Sequence, residues 1–277
     1  MKKRISAVFL TAVLTAALLA GCKQNVGSPE DNAVMDDQEN TEGDTEETEH
    51  VLGFSCSDLS NPFYTVLEEA LKSSLEEEGI RLIVQDARSD VDTQIQQVDE
   101  LIQQNVEAVF LCPAEWEKIT PALEALNDAG IPVINLDTEV KETDLVKAFI
   151  GSDNRNAGYV CGEDLVSRMP EGGRIIIIEN SGINSINERI TGFEEAILDG
   201  GFEVVCRIDA GSVNIGDTLR TLLEEEQINA VMCGNDVMAL QVLEVLEEAA
   251  DKEILVYSVE GSRETKSALL GPDSPMT

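Results

Sequence analysis

Residues 51–85, VLGFSCSDLSNPFYTVLEEALKSSLEEEGIRLIVQ, decide the fold class. An apolar run at 51–56 has the length and composition of a buried strand, and a second run follows at 80–85. Between them, 62–78 carries apolar residues at helical spacing. Asn61 is a suitable N-cap, Pro62 fits the first turn, and Gly79 stands where a helix C-cap belongs. Strand, crossover helix and strand make a βαβ unit, which joins parallel strands. The unit recurs outward from this stretch. Strand candidates at 107–112, 131–136 and 147–151 alternate with helical windows at 91–104 and 116–129, and Gly130 marks another C-cap. A second series has strands at 174–179, 202–207, 229–233 and 253–259, with helices at 155–169, 186–199, 215–226 and 236–249. Asp153-Asn154 separates the two series and is suited to open a helix.

The expected fold is therefore α/β, with two Rossmann-like lobes of parallel sheet joined by a hinge. The first lobe covers 51–152 and the second 153–277. Ligands of open parallel sheets bind beyond the carboxyl ends of the strands, so two such lobes in series can face one cleft and close over it.

The N-terminus carries a different signal. Lys2, Lys3 and Arg4 precede an apolar run of sixteen residues, Ile5 to Ala20. That run is short for a membrane span and suits the core of a signal peptide, 1–21. Leu19-Ala20-Gly21-Cys22 resembles the bacterial lipobox, which implies that Cys22 is lipidated and heads the mature chain. An ordinary secretory signal beside an unrelated cysteine is the other reading. Residues 22–50 are expected to form a tether: 28–50 holds ten acidic residues and no Lys or Arg, a composition that stays solvated and self-repelling. The formal net charge of −35 argues against nucleic acid and anionic lipid surfaces as partners. The six cysteines include no CxxC pair, and the single histidine, His50, falls in the tether. Free thiols are therefore expected rather than a zinc site. Cys56 and Cys112, at the ends of neighbouring strands, are the pair to check for a disulfide.

The loop after the first strand, Ser57-Asp58-Leu59-Ser60-Asn61-Pro62-Phe63-Tyr64, places an amide and two aromatic rings at a strand's carboxyl edge. Aromatic faces pack on the C–H face of a sugar ring while amides bond its hydroxyls. One of Phe63 and Tyr64 could equally belong to the core of the helix.

This loop, with Gly130-Ile131-Pro132-Val133 and Asp137, Gly151-Ser152-Asp153-Asn154, Arg189-Ile190-Thr191-Gly192-Phe193 and Gly234-Asn235-Asp236-Val237-Met238-Ala239-Leu240, resembles the type I periplasmic solute-binding proteins, the ribose/galactose-binding group of ABC transporters. The resemblance covers 51–277 and implies a periplasmic binding protein-like I fold. It implies polar ligand contacts from Ser57 and Asn61, stacking from Phe63 and Tyr64, and hydroxyl-binding carboxylates at Asp137 and at Glu260, where Asp is usual. Arg189 and Asn235 would reach in from the second lobe. Thr138 stands where ribose binders carry Arg, and Ala210-Gly211-Ser212 replaces an aromatic, for which Trp116 could substitute. The bland readings are a backbone-held strand-end carboxylate for Asp137, a surface ion pair with Glu188 or Glu195 for Arg189, helix capping for Asn235-Asp236, and packing over the lobe surface for Trp116.

The implied function is a lipid-anchored, monomeric, extracytoplasmic sugar-binding protein. It would deliver a monosaccharide or related polyol to the permease subunits of an ABC importer, without a cofactor or a metal. The alternatives are a sensor of a sugar-like signal for chemotaxis or quorum sensing, and a fragment that does not bind. Enzyme signatures are missing: no joint carries GxGxxG, a P-loop or GxSxG. A glycosidase pairing of Asp137 with Glu260 is conceivable, but a closing cleft already accounts for both. A repressor of the lactose-repressor type shares this core but needs a DNA-binding helix pair, which the first fifty residues do not supply. The chain ends at Gly271–Thr277 where the resembling family crosses back to its first lobe, so the resemblance implies a C-terminal truncation, an incomplete first lobe and exposed apolar surface there.

Overall fold

Nine strands and eight helices alternate through two parallel sheets in the computed structural model, which describes residues 49–248, 253–270 and 276. The signal peptide, Cys22 and nearly all of the acidic tether lie outside the described residues. His50 does not behave as tether. Its carbonyl accepts from Arg81 N at 2.9 Å and its ring bonds Glu107 at 2.8 Å, which ties it to the start of the first sheet.

The first lobe consists of β1 (Val51–Cys56), α1 (Pro62–Glu77), β2 (Arg81–Asp86), α2 (Val91–Gln103), β3 (Val109–Leu111), α3 (Thr120–Asp128), β4 (Val133–Leu136) and β5 (Ala148–Ile150). The second consists of α4 (Asn154–Arg168), β6 (Gly173–Glu179), α5 (Asn184–Ile197), β7 (Phe202–Asp209), α6 (Ile215–Glu225), β8 (Ala230–Cys233), α7 (Asp236–Glu248), β9 (Leu255–Tyr257) and α8 (Arg263–Leu269). The sheet orders are β2-β1-β3-β4-β5 and β7-β6-β8-β9, with every pairing between these strands parallel. Each lobe thus winds outward in both directions from its first strand. That reversal leaves a crevice at the carboxyl ends of β1/β3 and β6/β8.

Local chemistry explains the elements. The Asn61 side chain caps α1 by accepting from Phe63 N at 3.0 Å, with Pro62 at its first position. Gly79 and Gly130 take the left-handed φ values of 71° and 74° that end α1 and α3. Asp153 caps α4 through Asn156 N at 3.0 Å. Helix α3 starts at Thr120 rather than at 116. Pro121 has no N–H to donate and its ring excludes the carbonyl one turn earlier, so 116–119 form turns instead. Helix α8, absent from the sequence expectation, is a short segment capped by Ser262, which accepts from Thr265 N at 3.2 Å.

Strand β6 carries Ile175, Ile176, Ile177 and Ile178, all 0% exposed, as expected of a strand covered on both faces. In the first lobe, Leu101, Leu123 and Leu126 of α2 and α3 close one face of the sheet, and Tyr64, Phe54 and Leu136 form a smaller core on the α1 side. Val66 of α1 and Ile150 of β5 are exposed. The five described cysteines are free. Burial pushes the Cys56 thiol up to about 12 and that of Cys112 well above its usual value, which suits packing rather than reactivity.

Candidate functional site

The carboxyl ends of both sheets face one cavity of about 310 Å³, lined by loops from each lobe. A volume of this size lies at the small end of ligand pockets. Ser57 and Asn61 follow β1, Asp137 follows β4, Asn235 follows β8 and Glu260 lies beyond β9, and all five line it with Tyr64. Asn61 and Asn235 each use Oδ1 as a helix cap, accepting from Phe63 N and Met238 N at 3.0 Å, so capping is compatible with a place in the cavity wall. Their amide nitrogens remain to donate to a ligand.

Two of the carboxylates sit on backbone that L-residues rarely adopt. Asp137 has φ 63° and Glu260 φ 119°. Strain of this kind is tolerated where the surroundings over-determine it and is common at ligand sites. At Asp137 the surroundings are visible: its N donates to Ile150 O at 2.9 Å, and its Oδ2 accepts from Tyr64 Oη at 3.1 Å and from Thr138 Oγ1 at 3.2 Å. Burial, and then the charge of Asp137, push the Tyr64 hydroxyl well above its usual range, so it stays protonated and donates.

Glu260 is open to solvent through its backbone, but its side chain is only 12% exposed and bonds Arg189 Nη1 at 3.1 Å. Burial pushes its carboxyl up to about 7, against the pull of Arg189 and aided by the negative charges of Asp236 and Asp137. A carboxyl raised in this way binds its proton more tightly folded than unfolded. Its contribution therefore falls as pH rises from the ordinary 4.5 to about 7, and is flat above that. Without ligand, wild type should lose stability relative to Glu260→Gln between pH 5 and pH 8 in urea melts. A difference that does not move with pH would contradict the shift.

Four expected contacts stand elsewhere. Phe63 is 38% exposed and outside the cavity wall, edge-on to Tyr64 with ring centroids 5.3 Å apart, because the helical turn that buries Tyr64 turns its neighbour outward. Thr138 is fully buried and its Oγ1 bonds Ser185 Oγ of the second lobe at 2.8 Å, so it joins the lobes behind the cavity. Trp116 is not in the wall either. Its backbone N donates to Gly182 O at 2.9 Å and its carbonyl accepts from Lys141 N at 3.1 Å, which holds the residue beside the wall. Arg189 is 4% exposed and lies beneath the wall, donating to Asn154 Oδ1 at 2.8 Å, Gly234 O at 2.9 Å and Glu260. The expected surface pairing falls to Arg155 instead, which bonds Glu195 and lies 3.9 Å from Glu188.

Several wall residues escaped the sequence reading. Asp58 accepts from Ser60 N at 2.9 Å and from Ser89 Oγ at 2.6 Å. Burial alone would raise its carboxyl, but these bonds outweigh it and hold the group below its ordinary value. Asn180 at the end of β6 and Asn214 at the start of α6 also line the cavity. Their positions, an amide at a strand end and another at a helix start, were the available signals. Ile183, Ile186, Val213 and Met238 give the second-lobe wall an aliphatic character, and among the described residues Tyr64 is the one aromatic side chain in the wall. Among the described residues, no group of three or more His, Cys, Asp or Glu could hold a metal ion.

Residues 52–277 match the family described as the periplasmic binding protein domain. The chain belongs to that family. Periplasmic binding proteins are extracytoplasmic solute-binding proteins and not enzymes. The chain is 29% identical over 225 residues to the ribose import binding protein of Bacillus subtilis, across 80% of this chain and 73% of that protein. It is similar to the solute-binding protein of an ABC transporter from Mycobacterium smegmatis solved with bound glycerol, with a TM-score of 0.75 and 28% identity over 82% of this chain and 80% of that one. It is also similar to the periplasmic binding protein of the arabinose ABC transporter of Shewanella sp. ANA-3, bound to arabinofuranose, with a TM-score of 0.72 and 26% identity over 79% and 76% of the two chains.

Proposed function

We propose that this periplasmic binding protein captures a monosaccharide or related polyol and delivers it to the permease of an ABC importer. The observation that carries this reading is the cavity between the sheets' carboxyl ends, where Ser57, Asn61, Asp137, Asn235 and Glu260 converge from both lobes. Hydroxyls can donate to Asp137 and Glu260 and exchange bonds with the two amides, while ring C–H groups lie on Tyr64 and the aliphatic second-lobe wall. Ligands that lack a hydroxyl would leave these groups unpaired, which is how such a site discriminates. The ligands named for these relatives (ribose, arabinofuranose, glycerol) are small polyhydroxy compounds, in keeping with the cavity volume.

Signal-peptide removal at Cys22 and lipidation of that residue would hold the domain at the outer face of the cytoplasmic membrane, spaced by the acidic segment 28–50. Calorimetry with monosaccharides, pentitols, inositols and furanoses should find a saturable ligand in this panel, with affinity lowered at least tenfold in Asp137→Ala. No binding across the panel, or binding indifferent to Asp137, would overturn the reading. Labelled fatty acid should enter the wild type expressed in a bacterial host and be absent from Cys22→Ser.

A further inference from the structure

The charge balance of the cavity deepens the reading above, on which this inference rests. Among the described residues, the wall contains three carboxylates, Asp58, Asp137 and Glu260, and no Lys, Arg or His. One basic group is close, Arg189, which lies beneath the wall and donates from Nε to Asn154 and from Nη1 to Gly234 O and Glu260. It offsets one of the three charges.

The other two have only neutral partners. Asp58 is bonded by Ser60 and Ser89, and Asp137 by Tyr64 and Thr138. Helix starts at Asn61, Asn214 and Asn235 also border the cavity. Each carries roughly half a unit of positive charge that fades within the first turn. Those ends already receive side-chain oxygens from their asparagine caps, so they soften the negative potential without cancelling it.

Asp137 and Glu260 come from opposite lobes. Oδ1 of Asp137 and Oε2 of Glu260 accept no hydrogen bond from the described residues, and Asp137 is close enough for its charge to act on Glu260. Closure around a neutral ligand would withdraw both from water with no added counter-charge, which is costly. A cation between them removes that cost and joins the lobes.

We propose that the ligand is a polyol bearing a protonated amine, an amino sugar or aminopolyol, whose ammonium group bridges Asp137 of the first lobe and Glu260 of the second. Its hydroxyls meet Asn61, Asn235 and Asp58, and its C–H face lies on Ile183 and Ile186. The raised carboxyl of Glu260 fits this arrangement, because a bound cation would stabilise its ionised form.

The test is calorimetry of the full chain at neutral pH with matched triplets: a hexose, its 2-amino-2-deoxy counterpart and the N-acetyl form of that amine. Aminopolyols and aminocyclitols are run beside their parent alcohols. Charge-assisted hydrogen bonds are roughly twice as strong as neutral ones, so the amine of at least one set should bind about tenfold or more tighter than both neutral relatives. In Glu260→Gln and Asp137→Asn, checked for folding by their melting curves, that preference should shrink toward unity. A neutral compound that binds wild type as tightly as the best amine overturns the inference while leaving the polyol reading intact. If neither amines nor neutral compounds bind, both fail together.

Discussion

Gly192→Ala should prevent the second lobe from forming its native α4–α5 contact. A Cβ at 192 would lie 1.8 Å from Arg155 O, and one at Gly158 would lie 1.7 Å from Arg189 O. In both cases the obstructing atom is backbone, so no side-chain rotation relieves the overlap and the helices must separate. Ordinary overpacking costs about 1–3 kcal/mol. Here the separation also opens the core around Leu165, Ile190 and Phe193, so a loss of about 3–5 kcal/mol or outright failure to fold is expected. Gly216→Ala is the comparison: its Cβ would meet the flexible end of Arg220 at 3.2 Å and the Asn214 and Val245 side chains at ordinary contact distances of 3.4 and 3.7 Å, and helix propensity favours alanine by up to ~1 kcal/mol. Thermal melts of the two variants should diverge by more than 10 °C, taking roughly 2–4 °C per kcal/mol for a domain of this size. A Gly192→Ala protein that melts with wild type would refute the close approach.

Arg189→Ala should be nearly as damaging, through lost buried hydrogen bonds rather than volume. The guanidinium is the partner of Asn154 Oδ1, Gly234 O and Glu260 Oε1, and it connects the starts of α4 and α7 to the loop after β9. Removing it leaves a nearly buried carboxyl group, which then keeps its proton at neutral pH, and a buried amide oxygen without their partner, and each stranded polar group costs about 1–3 kcal/mol. The melting temperature should fall on the order of 10 °C. The deficit should narrow in Arg189→Ala/Glu260→Gln as pH rises above 7, because the second change removes a carboxyl that resists ionisation there. Equal melting of the single and double variants would show that the ion pair contributes nothing beyond packing.

Most of the fold was legible because its causes are local. Alternating apolar runs and helical windows, Asn61-Pro62 at a helix start and glycines at 79 and 130 each express a preference within a few residues. One failure was local and one was not. Pro121 delayed α3, and α8 is seven residues held by one serine cap and by Asp236, which accepts from Thr265 Oγ1 at 2.6 Å from another helix. The site was legible only in part. Positions just beyond strand ends led to Asn61, Asp137, Asn235 and Glu260. The same positional argument, with the resemblance, led to Phe63 and Trp116, which stand outside the wall.

The sequence by itself determined the alternation of strand and helix, the two lobes and the loops from which a ligand could be met, since hydrophobic periodicity and cap chemistry act over one or two turns. Only the tertiary structure decided which polar groups share the cavity and which are used up elsewhere. It paired Arg189 with Glu260 across 71 residues and Thr138 with Ser185 across 47. Those pairings set the charge that faces a ligand. They arise from the approach of separate elements in space, which no spacing along the chain encodes.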